Sequence, residues 1–143
     1  MRNPIAVLKS LEDKAKQKGY VFERLYRNLY NPEFYLLAYQ NIAKSQGSMT
    51  AGTDGMTLDD MTVGRIERIT ASLKDHSYQP HPARREYIPK KNNLSKTRPL
   101  GIPSTDDKLV QEVVRMLLEA IYTECWLSPL YLCPGPRPRC PQC

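Results

Sequence analysis

The sequence has no long apolar run, and its few cysteines all lie near its end. No window approaches the roughly eighteen uninterrupted apolar residues of a membrane-spanning helix, and the first residues lack the apolar segment of a signal peptide. We therefore expect a cytoplasmic location. Cys125 to Cys143 include all four cysteines, so no disulfide framework can staple the residues before them. A chain of 143 residues is instead long enough to be held by one hydrophobic core.

Basic residues outnumber acidic ones, and the imbalance is local. Lys and Arg number 21 against 15 Asp and Glu, which gives a net charge of +6 and a pI near 9.2. The segment from Arg84 to Arg98 contains six basic residues and the single acid Glu86, so it carries +5 of that charge. Charge concentrated on so short a segment favours a binding site for a polyanion such as nucleic acid. The alternative is a solvated loop whose charges only keep the protein soluble.

Apolar residues recur at helical spacing in five segments, most of which begin at a capping residue. The predicted helices run from Asn3-Pro4 to Gly19, from about Val21 to Leu29, from Asn31-Pro32 past Ile42, from Thr57 to roughly Lys74 and from Ser104 to Tyr122. The last is the strongest, because a broad apolar stripe that includes Leu118 runs along it. In the third helix, the predicted inward face includes Leu36. With two strands described next, this pattern predicts an α+β fold.

Two short strands are predicted between the last two helices. Arg84 to Pro89 and Arg98 to Ile102 flank a polar turn, Lys90 to Thr97, in which Asn92-Asn93 tolerates the left-handed backbone of tight turns. Guanidinium groups pair with phosphates bidentately and ammonium groups act as point charges, so a hairpin that carries both is suited to hold phosphates. Upstream, Gln46 to Gly55 holds three of the seven glycines and is predicted to be a loop.

Three motifs stand in order along the chain. The hairpin carries Arg85-Glu-Tyr-Ile-Pro-Lys90 and then Lys96-Thr-Arg-Pro-Leu-Gly-Ile-Pro-Ser-Thr-Asp-Asp-Lys-Leu-Val-Gln111. Before it come Gln46-Gly47 with Gly52-Thr-Asp-Gly55, and Tyr78-Gln-Pro80. Together they resemble the fingers of group II intron reverse transcriptases, the intron-encoded maturases, over about residues 20 to 122. The resemblance implies a helical N-terminal extension, small β-hairpin fingers and one long helix of an RNA-directed DNA polymerase.

The resemblance also implies roles for individual residues. Lys90 and Arg98 would face the triphosphate of an incoming deoxynucleotide, and Arg24 and Arg27 would belong to the surface that holds intron RNA. A larger set would contact the intron RNA or RNA template: Arg84, Arg85, Lys91, Lys96, Gln46, Gly47, Gly52, Asp54 and Gly55. The loop among them would act as a lid, because glycine permits close approach of backbone to RNA. Three tyrosines either stack on unpaired bases or, as is more common at helical spacing, belong to the core: Tyr26, Tyr30 and Tyr35.

The sequence does not contain the family's catalytic carboxylates. Polymerases of this class hold two metal ions with palm aspartates. Asp59-Asp60 and Asp106-Asp107 each follow a Thr or Ser cap, where the helix dipole accounts for acids. We therefore expect no catalytic residue and no cofactor in this chain, with Mg²⁺ implied for the intact enzyme. From Trp126 the sequence departs from the family's continuation, so we expect a fragment truncated before the palm by a frameshift near Tyr122, and inactive alone.

The end of the chain is rich in proline and cysteine. We predict a helical extension and lid loop over 1–56, the fingers portion over 57–122 and a disordered tail over 123–143. Cys140-Pro-Gln-Cys143 has the gap of a zinc knuckle, but the gaps to the other cysteines match no common finger, so we expect no metal.

Two other functions remain open, a freestanding RNA-binding module and an interaction protein that captures a partner. Both would lack polymerase activity. The last helix would normally pack on the missing palm, so part of its apolar stripe is expected to be exposed. An exposed apolar stripe predicts self-association.

Overall fold

The computed structural model describes residues 2–17, 19–45, 47–90 and 93–126, and for residues 90, 93–95 and 123–126 it describes the backbone alone. Helices pack around one core, and a two-stranded antiparallel ribbon projects from it. The helices are α1 (Pro4–Ala15), a first 3₁₀ helix (Leu25–Tyr30), α2 (Pro32–Ala43), a second 3₁₀ helix (Leu58–Asp60), α3 (Val63–Lys74) and α4 (Thr105–Trp126). The strands are β1 (Arg84–Lys90) and β2 (Asn93–Ile102). The predicted α+β fold class is therefore confirmed.

Asparagine side chains start two of the helices, as predicted. Oδ1 of Asn3 accepts a hydrogen bond from the N–H of Ile5 at 2.9 Å, and Oδ1 of Asn31 accepts one from Glu33 at 3.1 Å. The side-chain amide of Asn31 also donates to the carbonyl of Arg2 at 2.8 Å. One residue therefore caps α2 and ties down the start of α1, satisfying groups that a helix end leaves without partners.

The core lies between α4, α1 and α2, and α3 packs against α2 and the first 3₁₀ helix. Its buried apolar residues include Leu11, Phe34, Tyr35, Ala38, Ile66, Ile69, Leu73, Leu109, Val113, Met116, Leu117 and Ala120. Burial of each large apolar side chain contributes about 1.5–3 kcal/mol. Two predicted core residues are wrong, since Leu36 is 50% exposed and Leu118 is 45% exposed. None of the described helices has the length and apolar character needed to cross a bilayer.

The second predicted helix is wrong in both length and type. It is a 3₁₀ helix that begins only at Leu25, because Arg24 has a left-handed backbone (φ 57°) that interrupts an α-helix. Val21, the predicted first residue, is 74% exposed. Gly19 does not close α1 directly, since α1 ends at Ala15 and Gly19 adopts its positive φ of 80° in the turn that follows.

The helix predicted to start at Thr57 is divided into two elements. Thr57, the predicted cap, forms a capping box with Asp60, in which the Thr57 N–H donates to Oδ2 of Asp60 at 2.8 Å. That box closes a single 3₁₀ turn, because Met61 is extended (ψ 124°) and α3 begins only at Val63. Leu58 lies in the 3₁₀ turn before this break and is 2% exposed, so it is buried without being part of the inward face of α3.

The ribbon formed by β1 and β2, called the basic ribbon below, is longer than predicted. Pairing runs from Arg84 opposite Ile102 to Lys90 opposite Asn93, with an irregularity after Pro89. The ladder takes in residues assigned to the turn, so the predicted turn from Lys90 to Thr97 is too long. Among the ribbon side chains that the structure describes, Ile102 at the base is the buried one. The ribbon therefore projects into solvent.

Candidate nucleic-acid interface

The two faces of the basic ribbon carry different side chains. Successive residues of a strand alternate between faces, and paired residues share a face. The register therefore places Arg84 and Arg98 on the same face as Ile102, and Arg85 on the opposite face. Arg84 and Arg85, both predicted to contact the intron RNA or RNA template, are thus directed to opposite sides of the ribbon.

Most of the described cations of the ribbon have no acidic partner. Arg84 lies 3.4 Å from Glu86, an exposed pair of the kind that contributes little to stability. The side chains of Arg85, Lys96 and Arg98 are exposed, and no ion pair joins them to the residues that the structure describes. Unpaired guanidinium and ammonium groups on a projecting ribbon are available to donate hydrogen bonds to an external anion such as phosphate.

Three predicted site residues have no described side chain. Lys90 ends β1 opposite Asn93, where the backbone alone is described, and Gln46 and Lys91 lie outside the described residues. The residue paired with Arg98 across the ribbon is Ile88. The convergence of Lys90 and Arg98 on one phosphate group therefore stays a prediction.

Residues 47–57, called the lid loop below, are held against the body by hydrogen bonds. The bonds run from Nζ of Lys108 to the Thr50 carbonyl (2.6 Å), from Oγ1 of Thr53 to the Pro82 carbonyl (2.8 Å) and from Oγ1 of Thr105 to the Met56 carbonyl (2.9 Å). Lys108 and Thr105 belong to the first turns of α4, and Pro82 precedes β1. The lid loop is therefore attached to both chain segments at the base of the ribbon. Burial lowers the pKa of Lys108, while the nearby carboxylate of Asp54 acts in the opposite direction.

A buried arginine, Arg65 of α3, fixes the same loop. Its guanidinium lies 3.2 Å from Oδ2 of Asp54 and 2.6 Å from Oδ1 of Asp106, so it joins the lid loop to α4. Only 8% of Arg65 is exposed. Sequence reasoning missed this residue, although its spacing from Ile69 and Leu73 places it on the buried face of α3.

Gly52 is the point of closest approach between the lid loop and α4. A β-carbon on Gly52 would lie 2.6 Å from Cα of Ser104 and 2.8 Å from the carbonyl oxygen of Pro103. The residue is buried. Its lack of a side chain therefore serves a contact with the protein's own backbone.

The other predicted contact residues of the lid loop differ in their surroundings. Asp54 is engaged by Arg65. Gly47 and Gly55 are exposed, with no atom within 4 Å of a β-carbon built on either, and Gly55 has a φ of +69° that glycine adopts readily. Of the described lid residues predicted to contact RNA, Gly47 and Gly55 are thus the two that present open backbone.

One buried carboxylate, that of Asp107, accepts hydrogen bonds from both chain segments at the base of the ribbon, the one that enters β1 and the one that leaves β2. Oδ1 accepts a short hydrogen bond from the Tyr78 hydroxyl, and Oδ2 accepts from the Ser104 hydroxyl at 2.7 Å and the His81 N–H at 3.0 Å. Asp107 is 3% exposed. Burial raises the pKa of Tyr78 well above its usual value, and the hydrogen bond to Asp107 raises it further, so the hydroxyl remains a donor at neutral pH.

These carboxylates do not fit a magnesium site. The oxygens of Asp107 accept from protein donors, Asp106 pairs with Arg65 and Asp60 closes its capping box. In the part of the chain that the structure describes, no three metal-ligating side chains come together. The cysteine side chains considered for zinc lie outside the described residues.

A second basic surface lies between α1 and the first 3₁₀ helix. A groove of about 740 Å³ opens there. Its charged lining residues are four cations and one acid: Arg2, Lys14, Arg24, Arg27 and Glu23. The structure thus brings together Arg24 and Arg27, which the resemblance assigned to intron RNA.

The tyrosines of this region are engaged mainly in packing. Tyr35 is fully buried and donates to the Leu29 carbonyl at 2.9 Å, so it belongs to the core. Tyr26 donates to the Leu73 carbonyl at 3.1 Å and packs edge-on against Tyr30, with ring centroids 5.5 Å apart. Tyr26 is still 41% exposed.

The described elements follow one another along the chain as a helical extension, the lid loop, the basic ribbon and the long core helix α4. Group II intron-encoded protein LtrA of Lactococcus lactis subsp. cremoris is 45% identical over 123 residues, which is 85% of this chain and 20% of that protein. The chain belongs to this family of group II intron-encoded proteins.

Two further relatives are similar to this chain over most of its length. An uncharacterized 91 kDa protein in the cob intron of Schizosaccharomyces pombe is 41% identical over 122 residues, 81% of this chain and 15% of that protein. The protein YkfC of Escherichia coli is 38% identical over 103 residues, 70% of this chain and 26% of that protein. No protein-family model matches the chain. The chain thus spans about a fifth of the length of LtrA, 15% of the cob intron protein and 26% of YkfC.

Proposed function

We propose that this chain is the RNA-binding fingers portion of a group II intron reverse transcriptase and maturase. In this proposal the basic ribbon holds phosphates of the intron RNA or RNA template. The observation that carries it is the set of exposed cations without acidic partners, Arg85, Lys96 and Arg98, on a ribbon that projects from the core. Bidentate and point-charge donors of this kind are the groups that bind nucleic-acid backbones.

In the intact enzyme, Lys90 and Arg98 contact the triphosphate of the deoxynucleotide. This part of the proposal is supported by the family membership and by the position of both residues in the distal half of the ribbon, away from its buried base. Mg²⁺ is required by the intact enzyme but is not held by the carboxylates described above. This chain alone is therefore proposed to bind phosphate groups without catalysing polymerisation.

The groove beside α1 provides a second contact with RNA in this proposal. Its four cations outnumber its single acid, Glu23, and Asn3, Asn28 and Asn31 add polar groups to the lining. A ribbon and a groove that both attract phosphate would bind RNA at two places, which multiplies the affinity without requiring specific base contacts.

Self-association is the third part of the proposal. Leu118 and Tyr122 of α4 are 45% and 54% exposed, although the rest of the apolar stripe is largely covered. Exposed apolar residues one helical turn apart form a continuous patch.

Filter binding of a group II intron RNA across a salt series, with bulk RNA as competitor, tests the proposed function. We expect Lys90→Gln/Arg98→Gln to weaken binding and to reduce the slope of log K against log salt by about one to two, because each lost phosphate contact contributes roughly 0.7 to that slope. Arg68→Gln/Lys74→Gln is the matched control, since it removes the same charge from exposed positions of α3.

The control should change affinity slightly and leave the slope close to that of the unchanged protein. Equal binding by the Lys90/Arg98 variant and the unchanged protein, at every salt concentration and against competitor, would remove the basis for the proposed function.

A further inference from the structure

We infer that Asp107 is a positioning residue that sets the direction of the basic ribbon relative to the helical core. The inference rests on the proposed function for its consequence, RNA binding, but its structural content is independent of that function. The geometry that carries it is the convergence of the segment that enters the ribbon and the segment that leaves it on one carboxylate.

The entering segment contributes two donors. The Tyr78 hydroxyl and the His81 N–H both bind the Asp107 carboxylate, the latter at 3.0 Å. These residues lie in the extended stretch between α3 and β1, which has no helix or strand of its own to define its path. The hydrogen bonds to Asp107 therefore fix where this stretch runs just before β1 begins.

The leaving segment contributes the third donor. The Ser104 hydroxyl donates to Oδ2 of Asp107 at 2.7 Å and accepts from the Asp107 N–H at 3.2 Å. Ser104 is fully buried and follows β2 by two residues. Because Asp107 lies in the first turn of α4, the carboxylate fixes both segments to a helix that forms part of the core.

Apart from Asp107 and the hydrogen bond from Thr53 to the Pro82 carbonyl, the ribbon has few contacts that would orient it. Its described side chains are exposed from Arg84 to Tyr87 and from Lys96 to Gly101, and Ile102 alone is buried. A two-stranded ribbon is marginally stable by itself and twists easily. A small rotation at the base would therefore move Lys96 and Arg98, which lie four or more residues from Ile102, by several times the displacement at the base.

A helix-capping role alone would not give the same arrangement. Ser104 by itself satisfies the cap, whereas the bonds from Tyr78 and His81 connect Asp107 to a segment more than twenty residues earlier in the chain. A cap alone affects the stability of α4, whereas the bonds from Tyr78 and His81 also affect the direction of the ribbon.

Double electron–electron resonance, which measures the distance between two spin labels, tests this inference on the full chain without RNA. Spin labels are attached to Thr97→Cys in β2 and Glu67→Cys in α3, both exposed, with the four native cysteines replaced by serine. Asp107→Asn removes the charge and leaves one oxygen for three donors. We expect it to broaden or shift the distance distribution at temperatures well below the unfolding midpoint, an effect that loss of stability alone does not produce.

Asp59→Asn is the control, because it makes the same charge change at an exposed carboxylate outside the network. Tyr78→Phe is the second variant. It deletes one donor from the entering segment, keeps the carboxylate and the helix cap, and supplies the same test should Asp107→Asn not fold. A narrow, unshifted distribution in the folded Asp107→Asn or Tyr78→Phe protein would overturn the inference.

Binding of the group II intron RNA across a salt series gives the functional readout. Asp107→Asn should reduce the slope of log K against log salt by about two, as expected when the contacts of roughly three ribbon cations are lost. An unchanged slope for Lys90→Gln/Arg98→Gln would count against the proposed function and leave the distance measurement to decide the inference. An unchanged slope for Asp107→Asn alone, with a reduced slope for the Lys90/Arg98 variant, would overturn the inference.

Discussion

At the scale of single residues, Gly52 lets the lid loop lie directly on the backbone at the start of α4. An added β-carbon would lie 2.6 Å from Cα of Ser104 and 2.8 Å from the carbonyl oxygen of Pro103. Both are backbone atoms, so no rotation of a side chain can relieve the contact. We expect Gly52→Ala to lower the free energy of unfolding by about 1–3 kcal/mol, the usual cost of overpacking, as measured by urea denaturation.

Gly47→Ala is the matched control from the same loop, because its added carbon would meet no atom within 4 Å. Its free energy of unfolding should stay within about 0.5 kcal/mol of that of the unchanged protein, as for most surface substitutions. Equal losses in the two variants would mean that the close contact at Gly52 is not the cause.

Among the site residues, the exposed cations could be predicted and the buried partners could not. The charge excess between Arg84 and Arg98 is local in sequence, so Lys96 was readily identified. Arg65 was missed because a charged residue on a helix is ordinarily a solvated one. Its acceptors, Asp54 and Asp106, lie in other elements, and no sequence period connects them to α3.

At the scale of secondary-structure elements, capping residues in the sequence predicted where helices begin better than they predicted whether a helix is α or 3₁₀. Asn3 and Asn31 cap helices at the expected residues, because a cap is a contact between near neighbours. The first 3₁₀ helix and the break at Met61 were not predicted, because tertiary packing, in which Leu29 and Leu58 are buried, overrides local helix propensity in ways that a sequence pattern does not show. The ribbon was predicted too short because strand pairing depends on the partner strand.

Packing of α2 against α4 includes a carboxylate that makes stability depend on pH. Glu112 accepts two hydrogen bonds from Arg115, at 2.7 and 2.8 Å, and one from the Asn41 side chain at 3.2 Å. The bonds from Arg115 lower the pKa of Glu112, although burial opposes them. Because the lowered pKa belongs to the folded state, the stabilisation is complete above the ordinary glutamate pKa of 4.5 and is lost as pH falls through the lowered value.

Glu112→Gln should therefore destabilise the protein at neutral pH, and its difference from the unchanged protein should shrink as the pH falls below 4.5. Urea denaturation at a series of pH values measures this difference. Glu67→Gln, which alters an exposed carboxylate of α3, should give a small difference with no such trend. A Glu112→Gln difference that is constant across the acidic range would contradict the assignment.

At the scale of the whole molecule, the family could be recognised from motifs that are continuous in sequence. The way in which separate segments come together at the base of the ribbon could not be predicted. The lid loop, the base of the ribbon and α4 meet through Lys108, Thr53 and Asp107, which lie in separate segments. Part of the apolar stripe of α4 is exposed, as predicted, and α1 and α2 cover most of the rest.

The uncovered part of that stripe carries the proposal of self-association. We expect the weight-average sedimentation coefficient of the unchanged protein to rise with concentration, and Leu118→Lys/Tyr122→Lys to reduce or abolish the rise, since two lysines would bring charge into an apolar contact. Sedimentation velocity at several concentrations measures the effect. Val63→Lys, at a 68% exposed position of α3, should behave like the unchanged protein. Persistence of the rise in the Leu118/Tyr122 variant would exclude this patch as the interface.

Because the ribbon is exposed along its length, the distance that it extends from the body does not depend on packing in the core. Adding two residues to each strand would lengthen it by about 7 Å and keep every existing side chain on its present side. Adding one residue to each would instead exchange the sides of everything beyond the insertion. Lengthening in even steps is therefore a route by which evolution or engineering can change which distant group this protein touches, without repacking its core.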